Sequence, residues 1–196
     1  MREKIFNYVD IYDPVTLGIT ETHHMVGDAM MLEKQAIYQL LQQKGYWHEI
    51  TEHAAVFDMA SLADLNLPYP DQDAKNLFVR DDKHRHYYLL TVKGEKRVDL
   101  KAFARAQGLR RLSFASAADL QRLLGVQPGA VTPLGLLNAP GGTVDYYLDV
   151  ELTEPSAFLG VHPNDNTATV WLKSQDLLAW LTDHGVKCQV VTMPSC

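Results

Sequence analysis

The sequence predicts a mixed α/β domain, a sheet of mixed strand directions with helices packed on it. Three observations predict it. β-rich runs and helical stretches are intermixed without the regular βαβ alternation of a parallel doubly wound sheet. At least two adjacent strand pairs are joined by tight turns, and two helices carry start and stop signals in full. With 196 residues, 46% hydrophobic and 21% charged, the chain is long enough for one domain with its own core.

Residues 1 to 28 show no sustained period of 2 or 3.6 and are expected to be an N-terminal extension, so the domain is placed at 29 to 196. A helix is expected from Ala29 to the stop at Gly45, because Met30, Ile37, Leu40 and Leu41 can share one face. A short strand from Trp47 to His53 follows, then a helical turn from Ala60 to Leu65 closed by Pro68 and Pro70. Lys75 to Arg80 and His86 to Lys93 read as a hairpin around the charged turn Asp81-Asp82-Lys83-His84. Asp99 caps a helix that ends at Gly108, and Ser116-Ala-Ala-Asp119 opens another that ends at Gly125, with a strand from Arg111 to Ala115 between them. Further strands are expected at Leu134 to Leu137, Val144 to Glu151, Ala157 to Val161 and Ala168 to Leu172. A helix from Ser174 to His184 and a strand from Lys187 to Thr192 complete the order. The spacing of Trp171, Leu177, Leu178, Trp180 and Leu181 makes them core candidates.

No apolar run approaches the roughly 20 residues of a membrane span, so a cytoplasmic protein without a membrane partner is expected. The two cysteines, Cys188 and Cys196, supply neither a disulfide framework nor a thiolate metal site. A net charge of −6 argues against general nucleic-acid affinity, but the charge is unevenly spread. Residues 75 to 111 hold 11 basic against 4 acidic residues, a net of +7, while the rest of the chain has 7 against 20, a net of −13. Such a segment is either a local grip on a polyanion or a solvated face.

Three clusters carry polar chemistry. Gly129, Pro133 and Gly135 punctuate Gln127-Pro-Gly-Ala-Val-Thr-Pro-Leu-Gly135, a loop able to bring backbone N–H groups close to a ligand or merely to turn the chain. Lys75-Asn76 offers a cation and an amide at the start of a strand, where a lysine also guards an edge against aggregation. His162-Pro-Asn-Asp-Asn166 either presents an imidazole to a pocket or turns the chain. The pair His84 and His86 suggests a zinc hydrolase through its alternate spacing on a strand, but no third ligand is evident. Ser113 has no His and Asp arrangement that would make it a triad nucleophile.

Five segments in order bear a resemblance: Lys75-Asn-Leu-Phe-Val-Arg80, Gly94-Glu-Lys-Arg-Val-Asp-Leu100, Arg111-Leu-Ser-Phe-Ala-Ser116, Gly129-Ala-Val-Thr-Pro-Leu-Gly135 and His162-Pro-Asn-Asp-Asn-Thr-Ala-Thr169. From about Glu33 to Val191 the chain resembles the YbaK-like prolyl-tRNA synthetase editing-domain family, especially its freestanding deacylases of Ala-tRNA(Pro). The resemblance implies a mixed, partly barrel-like β-sheet surrounded by helices. It also implies hydrolysis of the ester in mischarged tRNA(Pro), without cofactor or metal.

The resemblance further implies the roles of residues. Lys75, Asn76, Gly129 and His162 would be catalytic. Ser113, Phe114, Ala130, Val131, Thr132, Pro133, Gly135 and Asn166 would line the substrate site. Arg80, Lys93, Lys96 and Arg97 would hold tRNA. The partner implied is the acceptor end of mischarged tRNA(Pro), with transient contact to prolyl-tRNA synthetase and no DNA. A deacylase for another small amino acid, such as Cys-tRNA(Pro), and a non-catalytic tRNA-binding regulator on the same fold are the rival readings.

Overall fold

The computed structural model describes residues 23–26, 29–55, 65, 67–154 and 157–196. Ten strands and four α-helices occur among them: β1 (His23–Val26), β2 (Ala29–Leu32), α1 (Lys34–Lys44), β3 (His48–Glu52), β4 (Ala74–Asp81), β5 (Tyr87–Lys93), α2 (Leu100–Ala106), β6 (Leu112–Phe114), α3 (Ala117–Leu124), β7 (Val144–Asp149), β8 (Phe158–Val161), β9 (Ala168–Lys173), α4 (Ser174–Asp183) and β10 (Cys188–Val191).

Strands form a mixed five-stranded sheet in the order β10-β7-β5-β4-β6, a three-stranded antiparallel sheet β3-β9-β8, and the hairpin β1-β2. In the larger sheet β5 and β10 run parallel to β7, whereas β4 is antiparallel to both β5 and β6. The two larger sheets meet at a parallel bridge between Asp73, just before β4, and Gly160 in β8. No closed barrel forms among the described residues; the sheets join at one seam. At Gly160 the missing side chain makes room for the Trp171 ring of the neighbouring strand, because a Cβ there would lie 2.5 Å from Cζ3 of Trp171.

Cap chemistry sets the helix ends. The Asp99 carboxylate accepts from the Lys101 and Ala102 N–H groups, and Ser116 and Asp119 form a reciprocal capping box. Gly45 and Gly125 end α1 and α3 in the left-handed conformation. Two expectations are corrected. Residues 29–32 are a strand, and α1 begins only at Lys34, with Ala36, Ile37, Leu40 and Leu41 as its buried face. The apolar run at Leu134 to Leu137 belongs to a 3-10 helix, Pro133–Leu137, in which proline takes the first position and the Thr132 hydroxyl accepts from the Leu134 N–H. A short apolar run fits a buried strand or a buried helical turn equally well. The turn expected at Ala60 to Leu65 lies almost wholly outside the described residues.

One core fills the space between the sheets. It combines Phe78, Leu89, Tyr146 and Leu148 with Leu159, Val161, Val170 and Leu172, and is closed by α1, α3 and α4 through Ile37, Leu124 and Trp180. A second core lies on the other face of the five-stranded sheet, where Phe103 of α2 meets Val79, Leu90, Val92 and Tyr147. No helix among the described residues is long and apolar enough to cross a membrane.

Candidate active site

The seam creates a small cleft lined by Asp73, Ala74, Asn76, Gly160, Val161, His162 and Thr169, with a cavity of about 40 Å³. The site is built from β4, the loop that β4 holds and the turn after β8, the first and last lining the cleft and the loop hydrogen-bonded to both. β4 supplies Asn76, whose side chain shares a strand face with Phe78. Its Nδ2 donates to the Val131 carbonyl at 3.1 Å, and its Oδ1 accepts from the Thr91 hydroxyl at 2.7 Å. The amide orientation follows from chemistry, since the Val131 carbonyl can only accept.

The loop that Asn76 grips is the glycine-rich segment 129–135. Gly129 has φ +91°, and the Ala130 N–H donates to the Gln127 carbonyl at 3.0 Å, which closes a tight turn. Ala130, Pro133 and Gly135 are buried, and Val131 is partly so. The Thr132 hydroxyl donates to the His162 carbonyl at 2.6 Å, fastening this loop to the third segment.

There, His162 Nδ1 lies 3.0 Å from the Ala168 carbonyl. A carbonyl only accepts, so Nδ1 carries the proton and Nε2 keeps a lone pair. Burial pushes the imidazole below its ordinary range, against the opposing hydrogen bond to Ala168, so the ring is neutral at pH 7. Asn166 sits in the same turn. Its neighbour Asn164, at φ +61°, donates to the Leu32 carbonyl at 2.8 Å and ties the turn to β2.

Sequence reasoning missed His53, Thr91, Thr169 and Asp73. The same logic of carbonyl acceptors fixes His53: Nδ1 faces the Ala54 carbonyl at 2.8 Å, so Nε2 accepts from the Thr169 hydroxyl at 3.0 Å. The His53 and His162 rings are 6.3 Å apart. The register of β3 with β9, which sets Thr51 opposite Thr169, brings His53 there, and no local motif announces it.

Other predicted residues lie elsewhere. Lys75 alternates to the opposite face of β4 from Asn76, and its ammonium donates to the Lys96 carbonyl. Burial lowers the Lys75 pKa, and the Arg97 guanidinium adds to the effect. Ser113 and Phe114 are exposed on β6, opposite Arg80 and Val79, roughly 10 Å along β4 from Asn76.

Of the four proposed tRNA contacts, Arg80 meets Asp119 at 2.6 Å, and Lys96 meets Asp149 at 2.6 Å and Glu151 at 2.8 Å. Lys93 and Arg97 are exposed, and no carboxylate pairs with either among the described residues. His84 and His86 fall in the turn before β5, His84 at φ +55°, so strand alternation does not align them. Among the described residues no three His, Cys, Asp or Glu side chains gather as a metal site.

Residues 53–179 match the family of the aminoacyl-tRNA editing domain. The chain is 37% identical over 144 residues to the prolyl-tRNA editing protein ProX of Acetoanaerobium sticklandii, covering 74% of this chain and 87% of that protein. It is 30% identical over 161 residues to the prolyl-tRNA synthetase associated domain-containing protein 1 of Bos taurus, covering 78% and 90% respectively. Among solved structures, one described as a candidate trans-editing enzyme for prolyl tRNA synthetase superposes with a TM-score of 0.60. It has 23% identity and covers 88% of this chain and 100% of that one, a likeness of fold.

Proposed function

We propose that this chain, which belongs to the aminoacyl-tRNA editing-domain family and is an aminoacyl-tRNA deacylase, edits mischarged tRNA(Pro) in trans and takes the alanyl ester as its substrate. The observation that carries the reading is that His162, its Nδ1 held by the Ala168 carbonyl, lines one cleft of about 40 Å³ together with Asn76, whose amide clamps the 129–133 loop. That space admits about three water-sized positions, enough for a methyl side chain beside a water but tight for a pyrrolidine ring. Discrimination here complements a synthetic pocket, which gains only about 1–3 kcal/mol per missing methylene and so passes alanine.

The ester is already activated, so positioning and charge stabilisation are the main demands on the protein. His162 Nε2 accepts a proton from the attacking water as its oxygen adds to the ester carbonyl carbon. N–H groups of the 129–133 loop hold the developing oxyanion; that of Ala130 is committed to Gln127, so the donors come from Gly129, Val131 and Thr132. When the tetrahedral intermediate collapses, the carbon–oxygen bond to the ribose breaks, the proton passes to the ribose oxygen, and free alanine leaves. Lys75, with Lys93 and Arg97 beside it in the basic segment, holds the acceptor-end phosphates. Ser113, Phe114 and Asn166 border the bound end.

The test is a panel of tRNA(Pro) charged with alanine, cysteine, serine or proline, followed for loss of the ester. The expected result is rapid loss of alanine and retention of proline. Equal loss of all four esters would refute discrimination by the cleft, and loss of none would favour a binding regulator.

A further inference from the structure

The three-stranded sheet carries a second concavity, separate from the cleft and open to solvent, lined by Trp47, Tyr69, Phe158 and Lys173 with a volume of about 350 Å³. Its volume lies at the low end of small-ligand sites. The rings meet at near right angles: Tyr69 and Phe158 at 4.8 Å and 78°, Trp47 and Phe158 at 5.6 Å and 70°. Such a corner lets a flat ring lie on one face while meeting the edges of the others. Trp47 keeps 40% of its surface exposed, an unusual condition for the largest apolar side chain. The Tyr69 hydroxyl donates to Glu49 at 2.9 Å, which fixes that ring, while the exposed Lys173 has no carboxylate partner among the described residues.

Register places this cup on the same sheet face as the cleft. Glu49 and Gly160 both pair with Trp171, Phe158 pairs with Lys173, and Thr51 with Thr169. Thr169 lines the cleft and Lys173 the cup, four residues apart along β9, a distance of about 13 Å. At a stacked rise of about 3.4 Å per nucleotide, a short single strand leaving the cleft reaches the cup within its last few nucleotides.

We propose that the cup binds nucleobases of the unpaired 3′ end of the charged tRNA by stacking, with Lys173 on an adjoining phosphate. Aromatic rings with a neighbouring cation are the usual means of holding single-stranded nucleic acid without reading its sequence. The inference rests on the deacylase reading and adds to it a second point of attachment, one that aims the ester into the cleft and accepts any amino acid at that ester.

Two measurements on the full chain test it. In single-turnover hydrolysis of Ala-tRNA(Pro), Trp47→Ala is expected to raise the half-saturating protein concentration about 10-fold, while the rate constant at saturation changes far less. Trp47→Phe keeps a π-face and recovers most of the loss. Lys173→Gln, at an exposed position, lowers the dependence of log affinity on log salt by about one phosphate contact. In the second measurement, an uncharged oligoribonucleotide with the 3′-terminal sequence of tRNA(Pro) is titrated into wild type and Trp47→Phe, and the difference in fluorescence is followed. Quenching confined to wild type supports the cup even if wild type hydrolyses no ester, an outcome that would remove the deacylase reading alone. Active wild type with no quenching, and an unchanged half-saturating concentration in folded Trp47→Ala and in Lys173→Gln, would overturn the cup.

Discussion

Replacing Asn76 by aspartate tests whether the grip on the glycine-rich loop is what prepares the site. The substitution keeps the shape and the oxygen that accepts from Thr91, but it removes the donor to the Val131 carbonyl and sets a second oxygen against it. Leaving a partly buried carbonyl unpaired costs about 1–3 kcal/mol. For a chain of this size that lowers Tm by about 2–12 °C, well short of unfolding a domain with a typical stability of about 5–15 kcal/mol. The effect on hydrolysis is expected to be larger. If the released loop withdraws one oxyanion donor, the single-turnover rate constant falls about 100-fold or more. Thr91→Val leaves the Val131 contact intact and removes only the hydroxyl that orients the amide, so its rate falls less than that of Asn76→Asp. The assay is single-turnover loss of alanine from Ala-tRNA(Pro), beside thermal unfolding of each variant. A folded Asn76→Asp protein with the lower Tm and the wild-type rate would show that this loop plays no part in the chemistry.

Lys75→Ala is expected to leave Tm within a few degrees and to lower the rate at subsaturating protein by more than 10-fold, with poor rescue by arginine, whose planar head does not match the ammonium contact at the Lys96 carbonyl; near-wild-type turnover would remove Lys75 from the site. Burial depresses both His162 and His184, so between their folded values and the unfolded value of about 6.5 the unfolded chain binds more protons, and stability falls as pH drops from 7 towards 5.5. Asp81 and Asp119 are held below the ordinary carboxylate range, so their stabilising effect is lost only in more acidic solution; His162→Gln should therefore flatten part of the Tm slope between pH 7 and 5.5, and an unchanged slope would refute the assignment. Gly160→Ala should cost about 1–3 kcal/mol, read by thermal unfolding, because the added methyl meets Trp171 at 2.5 Å and Thr169 at 2.9 Å. Lys93→Glu with Arg97→Glu should weaken tRNA binding for every amino acid alike; Lys96 is left out because reversing it would face Asp149 and Glu151 with a third carboxylate.

Elements with local punctuation were legible in the sequence. Asp99, Ser116, Gly45 and Gly125 each act within a few residues, so the helix ends they mark could be placed without knowing the fold. The hairpin of β4 and β5 was legible for the same reason. What could not be read depends on partners distant in the chain. The strand at 29–32 is tied by its Leu32 N–H to Asn138 and by its Leu32 carbonyl to Asn164, contacts across more than 100 residues that helical periodicity cannot express. His53 likewise is tied to the cleft only through its hydrogen bond to Thr169, 116 residues away. The charge of the segment 75–111 was legible, but which cations stay available was not, because Asp119, Asp149 and Glu151 engage Arg80 and Lys96 from outside it.

The adjacent pair Lys75 and Asn76 shows how one local motif can serve two surfaces. In sequence they form a single polar cluster, yet a strand has a period of two, so they must point to opposite faces. Asn76 turns toward the seam and its loop; Lys75 turns toward the segment that holds Lys96 and Arg97. The position along β4 matters as much as the alternation. β6 pairs only with Val79 to Asp81, so the edge near Asn76 is left to the Asp73–Gly160 bridge with β8. A pair placed four residues further on would meet a continuous ladder on both sides and no seam. At the start of β4 the same dipeptide holds the 129–133 loop through an amide on one face and sets a cation beside Lys96 and Arg97 on the other, two tasks that one strand can serve only because its side chains alternate.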